Sequence, residues 1–142
     1  MKFSTKTRYG LRAMVELAAW KHDSPLMVRK IAEDQEVSKK YLNSIFSSLK
    51  LAGLVRATRG AAGGFTLARP AAEITVLDIV RALEGDLYPV DCCQTPDTCP
   101  RAAVCASRDV WAEVGRTLEG TLAKLTLAEL SAKQEKLRPS VR

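Results

Sequence analysis

Residues 38–53 separate into two faces so cleanly that they restrict the folds open to this chain. Ser38 is a good helix N-cap and Gly53 a good C-terminal stop. Between them Leu42, Ile45, Phe46 and Leu49 form an apolar stripe. Lys40, Asn43, Ser44 and Ser47 repeat at i, i+3, i+4, i+7 on the opposite side. That outer row has no acid and offers amide, hydroxyl and ammonium groups suited to base edges and phosphates. Two helices are predicted ahead of it, over about 6–21 (apolar Leu11, Met14, Val15, Ala18) and 28–35 (Val28, Ile31, Ala32), broken by the turn before Pro25. After it, residues 54–58 and 65–67 read as short strands joined through Arg59-Gly60-Ala61-Ala62-Gly63-Gly64, a slim basic tip flanked by Arg56. A helix-turn-helix followed at once by such a hairpin is the layout of a winged helix. Its third helix enters the major groove and its wing reaches backbone or minor groove.

Charge agrees with that layout. Residues 1–70 hold 13 Lys/Arg against 5 Asp/Glu, whereas residues 71–142 hold 9 against 11, so the whole positive excess lies in the first half. One-sided basicity is the electrostatic footprint of a phosphate-backbone binder. No apolar run approaches ~18 residues and the N-terminus lacks a signal-peptide stretch, so the expectation is a cytoplasmic protein without a membrane span.

Beyond a connector at 70–73, Thr75 caps a predicted helix over 76–83 that Gly85 ends. A long helix follows, about 102–124, whose Trp111, Val114, Leu118, Leu122 and Leu125 step by 3, 4, 4 and 3. One continuous seam of this kind suits a partner helix in a two-fold dimer. Thr126-Leu127-Ala128-Glu129 is a capping-box pattern opening a short last helix, with a frayed polar tail expected beyond Lys133. The fold class read from the chain is therefore mainly α with a small β-hairpin wing. Its expected division is a winged helix-turn-helix domain over 1–90, a cysteine loop over 91–106, and a dimerisation helix with its tail over 107–142.

All four cysteines, Cys92, Cys93, Cys99 and Cys105, fall within fourteen residues, three of them at Cys-x5-Cys-x5-Cys, in a segment rich in helix breakers. In a reducing compartment such clusters are metal-binding or redox-active more often than bridged. Five-residue gaps suit zinc poorly, since its paired ligands stand two to four residues apart. Iron–sulfur clusters spread over more space and tolerate wider spacing. Spacing favours a metal or cluster over bare redox thiols and leaves both open.

The chain resembles the Rrf-two family of bacterial winged-helix transcriptional regulators, which includes IscR-like and NsrR-like cluster regulators. The likeness rests on Lys6-Thr7-Arg8-Tyr9-Gly10-Leu11-Arg12-Ala13-Met14, Val37-Ser38-Lys39-Lys40-Tyr41-Leu42, Gly53-Leu54-Val55-Arg56 through Phe65, Ile74-Thr75-Val76 and the evenly spaced cysteines, and it covers nearly the whole chain. The resemblance implies a homodimeric transcriptional regulator that binds double-stranded DNA; the expectation drawn from it is a repressor, or dual regulator, at a near-palindromic operator. Its Cys93, Cys99 and Cys105 would hold an iron–sulfur cluster, 2Fe-2S or 4Fe-4S. It also implies DNA contacts from Ser38, Lys40, Tyr41, Asn43 and Ser44 on the third helix and from Arg59 and Gly60 in the wing. Position 43 is Asn where the IscR branch carries an acid, so that branch's operator sequence does not transfer.

The resemblance leaves the fourth ligand open. The IscR-like branch has a histidine where this chain has Arg108, and the NsrR-like branch an aspartate where it has Arg8. Arginine stays protonated and cannot ligate iron. Cys92, Asp91, Asp109 and His22 are the other candidates in the chain, and a non-protein ligand is a further one. A rival reading keeps the DNA binding and dispenses with metal: thiols of lowered pKa near Arg101 and Arg108 would sense oxidants or persulfide directly. A third, a small redox or metal-handling enzyme, finds no Cys-x-x-Cys, no phosphate loop and a single histidine.

Overall fold

A computed structural model describes residues 2–138. It comprises α1 (Thr5–Ala19), α2 (Val28–Gln35), α3 (Lys39–Leu51), β1 (Val55–Thr58), β2 (Gly64–Leu67), α4 (Val76–Glu84), α5 (Ala106–Ala123) and α6 (Leu127–Leu137). Short 3-10 turns punctuate the connections at Ala71–Glu73, Asp91–Cys93, Pro96–Thr98 and Ala102–Val104. No described helix is long and apolar enough to cross a membrane.

The core forms where α1, α2, α3 and the wing meet. Leu42, Ile45, Phe46 and Leu49 of α3 are all fully buried, as the two-faced pattern predicts. The reading of α1 needs rotating by about one residue. Its deeply buried ridge is Thr7, Gly10, Ala13, Met14 and Leu17, while Leu11, Val15 and Ala18 are half-buried. The physical reason is that α1 is packed on several sides, most extensively against α6 and α4. A Cβ on Gly10 would lie 2.2 Å from Leu83 Cδ1 and 3.2 Å from Ile45 Cγ2, so the glycine leaves room for Leu83 of α4 against α1 that any side chain would take.

β1 and β2 pair antiparallel, with Val55 opposite Leu67 and Thr58 opposite Gly64. Leu26, just before α2, adds a one-residue third strand through two hydrogen bonds with Phe65. Phe65 in turn stacks on Phe46 at 4.4 Å and 13° between ring planes. The wing is thereby tied both to the turn before α2 and to α3.

α6 is not the frayed tail expected beyond Lys133. It runs to Leu137, and Glu135 pairs with Lys21 at 3.1 Å. Two capping boxes stand side by side: Thr75 with Asp78 starts α4, and Thr126 with Glu129 starts α6. The two N-caps face each other in a backbone bridge, Val76 N–H donating to Leu125 C=O and Leu127 N–H to Ile74 C=O, both at 2.8 Å. This bridge returns the chain after α5 to the core and buries Leu127 completely. The tail residues 139–142 lie outside the described residues.

The long helix begins at Ala106 rather than 102, because Ala102–Val104 closes into a separate 3-10 turn before Cys105. Its apolar seam divides. Leu118 and Leu122 pack on Val76, Leu77, Val80 and Leu87 of the same chain. Trp111 (41% exposed), Val114 (40%), Val110 (55%) and Leu125 (41%) remain open. Gly115 is the one buried residue of α5: a Cβ there would sit 2.3 Å from Tyr88 Cδ1, so the glycine lets the helix lie against that ring.

Candidate DNA interface and cysteine loop

α2 and α3 form the helix-turn-helix, and α3 presents its polar side outward. Ser38 Oγ accepts from Tyr41 N–H at 3.0 Å, which starts the helix there. Lys40, Asn43 and Ser44 are exposed. Ser47 is exposed too, but its hydroxyl donates to Asn43 C=O at 2.9 Å. Tyr41 is half-buried, its ring edge-on to Tyr9 at 6.3 Å, so it braces α3 against α1 as well as bordering the face.

Between α3 and the wing runs a cleft of about 300 Å³ lined by Asn43 and Gly60 and also by Lys39 and Arg29. Sequence reading missed the last two. Lys39 precedes the outward row by one position, and only the return of the wing shows that it faces the same space. Arg29 is half engaged with Glu33 through an i, i+4 pair. Among the described residues no salt bridge involves Lys39, Lys40, Arg56 or Arg59. These four cations, on α3 and the wing, have no internal partner and are free to meet phosphates.

The cysteine loop has an order that spacing does not reveal. Cys93 closes the turn Asp91–Cys93, Cys99 is the C-cap of Pro96–Thr98, and Cys105 is the C-cap of Ala102–Val104. Each five-residue gap is thus one 3-10 turn with its connection. Cys105 is at the same time the N-cap of α5, where its side chain makes no capping hydrogen bond. All four thiols are free and half-buried. Arg108 fastens the loop to α5: its Nε donates to Cys92 C=O at 3.0 Å, and Cys93 Sγ donates to Arg108 C=O at 3.8 Å.

Burial pushes the Cys93 thiol up, with Cys92 and Asp86 adding to the effect and Arg108 opposing it. This corrects the expectation of an arginine-lowered pKa for that residue, because partial desolvation outweighs the guanidinium. Among the described residues no three His, Cys, Asp or Glu side chains gather as they would around a metal ion. The donor set fits an iron–sulfur cluster by chemistry, being soft thiols free of disulfides, but the loop does not hold them convergent. His22 packs against Trp20 with ring centroids 4.3 Å apart and planes tilted by 51°, in the corner after α1, and Asp109 lies in the first turn of α5.

The family model Rrf2, described as an iron-dependent transcriptional regulator, matches residues 3–133. Protein rrf2 of Nitratidesulfovibrio vulgaris is 39% identical over 130 residues, covering 92% of this chain and 87% of that protein. The structure of CymR, the global cysteine regulator of B. subtilis, superposes with a TM-score of 0.77 at 35% identity, over 94% of this chain and 98% of that one. T. potens IscR superposes with a TM-score of 0.75 at 37% identity, over 96% and 90%.

Proposed function

The chain belongs to the Rrf2 family of transcriptional regulators, whose members are not enzymes, and from that premise we propose that it is a cytoplasmic homodimeric repressor whose grip on its operator follows the state of the cysteine loop. In this reading Cys93, Cys99 and Cys105 hold an iron–sulfur cluster, with Cys92 as the nearest candidate for a further thiol ligand. The group would supply a centre that iron, oxygen or nitric oxide can alter.

The observation that carries the reading is the position of Cys105. It ends the last 3-10 turn and caps α5, the helix whose Val110, Trp111 and Val114 stay exposed. A change at the thiols therefore acts on the first turn of the helix that a second copy would cover. Arg108 extends that lever, since one residue ties α5 to both Cys92 and Cys93. Lys40, Asn43 and Ser44 would meet base edges and phosphates, Lys39 and Arg59 phosphates, and Gly60 would let the wing tip approach closely. Ser38 and Tyr41 position α3 at the same surface. Paired recognition helices call for half-sites about 34 Å apart or a multiple of it. A useful switch needs about 1–3 kcal/mol between the two states in operator affinity.

A second reading, direct sensing by thiols without a cluster, is supported by the unconverged sulfur atoms and by the likeness to CymR. Anaerobic reconstitution separates the two. The first expects a coloured protein with about 2–4 irons per chain, and loss of both colour and response on Cys93→Ser, Cys99→Ser, Cys105→Ser. A colourless protein with reversibly oxidised thiols selects the second. Operator affinity that ignores the triple substitution in every redox and iron condition overturns both.

A further inference from the structure

Arg29 belongs to α2 and lies outside the outward row of α3, yet it lines the cleft between α3 and the wing together with Lys39 and Asn43. The two sides of that cleft differ. On the helical side Arg29 and Lys39 are both exposed cations. The wing side is largely Gly60, Gly63 and Gly64, which put no side chain into the space. Among the described residues that line it, none is acidic.

Arg29 is oriented as well as exposed. Its Nε donates to Glu33 Oε1 at 3.0 Å, one helical turn along α2. Among the described residues its terminal nitrogens donate to nothing. A guanidinium is planar and rigid, so a bond at Nε sets the plane of the whole group and leaves the terminal N–H groups for an anion.

The shape of a DNA duplex says what such an anion is. With α3 in the major groove, the wing lies over the backbone or the neighbouring minor groove. Adjacent grooves are separated by one sugar–phosphate strand, so that strand crosses the space between the two elements. A cleft with cations on one wall and bare backbone on the other suits it.

The geometry points to Arg29 as a further DNA contact: with Lys39 it grips one phosphate of the strand that runs between α3 and the wing. This inference rests on the DNA-binding reading above and on no property of the cysteine loop. A phosphate contact carries no base information, so Arg29 fixes the register of α3 in the groove and not the sequence it prefers.

Lys30 supplies the control. It is the next residue, is exposed, carries the same charge and makes the same kind of pair, with Asp34 at 3.3 Å, but it does not line this cleft. The probe is a duplex that the full chain itself retains from a random-sequence DNA pool, with affinity measured over a range of KCl concentrations. Arg29→Ala should weaken binding about tenfold at low salt. It should also reduce the slope of log affinity against log salt by about 1 for each copy of the chain bound. Lys30→Ala, screened from the strand, should change the slope by less than about half as much. Both side chains are exposed, so neither change should unfold the chain.

The same duplex carrying one neutral methylphosphonate, scanned along each strand, then locates the contact. One position should weaken the parent and leave Arg29→Ala nearly unaffected, because the two changes remove the same interaction. Parental affinity and slope in Arg29→Ala, equal losses in Arg29→Ala and Lys30→Ala, or the same methylphosphonate profile in parent and Arg29→Ala would overturn the inference alone. A parent chain that retains no duplex would overturn it together with the DNA-binding reading.

Discussion

The junction of α1 and α4 turns on Glu84, and replacing it by alanine should have a calculable, pH-dependent effect. Its carboxylate accepts from the buried Thr7 hydroxyl, from Ser4 Oγ at 2.8 Å and from Ser4 N–H at 3.2 Å. It also lies at the N-terminus of α1, where the helix dipole favours negative charge. Ser4 is exposed, so its two groups regain water on substitution and contribute little. Thr7 is only 3% exposed, and losing the carboxylate leaves its buried hydroxyl with Ser4 Oγ, 3.2 Å away, as its one remaining side-chain partner. That cost, with the lost charge-assisted bond, comes to about 2 kcal/mol at neutral pH. With a urea m-value of about 2 kcal/mol/M, the unfolding midpoint should fall by about 1 M at fixed protein concentration.

The hydrogen bond from Thr7 holds the Glu84 carboxyl below the ordinary value of 4.5, helped by both bonds from Ser4 and opposed by desolvation. A folded-state pKa that is depressed contributes stability present in full above the unfolded value. That contribution is lost as pH falls through the folded one. The gap between parent and Glu84→Ala should therefore be widest near neutrality and shrink below about pH 4.5. A gap equal at pH 7 and pH 3.5, or a midpoint shift under about 0.2 M at pH 7, would refute the assignment.

Other substitutions probe the rest of the structure. Gly115→Ala drives a methyl into the Tyr88 ring and should cost about 1–3 kcal/mol, measured as a lowered Tm at constant concentration. Phe65→Ala removes the ring stacked on Phe46 and should destabilise the chain by about 3 kcal/mol. In conditions where the variant is folded, its operator affinity should also fall, since the wing loses its fixed angle to α3. Lys40→Ala should weaken binding evenly across DNA sequences and reduce the salt slope by about 1, whereas Asn43→Ala should relax preference at one base position, worth about 1–3 kcal/mol, in competition assays.

Much of the fold can be read along the chain because its elements declare themselves locally. The bounds of α2 follow from Val28, Ile31 and Ala32, and α3 follows from one cap and a clean stripe. α4 is bracketed by Thr75 and Gly85. The wing shows itself through glycine and strand alternation. The outward row of α3 is legible for the same reason: a 3.6-residue period places Lys40, Asn43 and Ser44 together without reference to any distant residue. The even spacing of three cysteines is equally legible, but it does not bring the thiols together: among the described residues they do not converge as they would around a metal ion.

Tertiary structure decided what depends on contacts between remote segments. Nothing near Lys39 or Arg29 announces that the wing will fold back to make one cleft with them. The α1 ridge was displaced by one residue because a helix packed on several sides buries more than its most hydrophobic stripe. α6 joins the core through a bridge between two N-caps some fifty residues apart, Thr75 and Thr126. The same return divides the α5 seam into a part satisfied at home and a part left exposed. Hydrophobic periodicity states which side of an element seeks cover. Only the assembled chain states what covers it, because that choice is made by shape and backbone pairing between segments that share no local pattern.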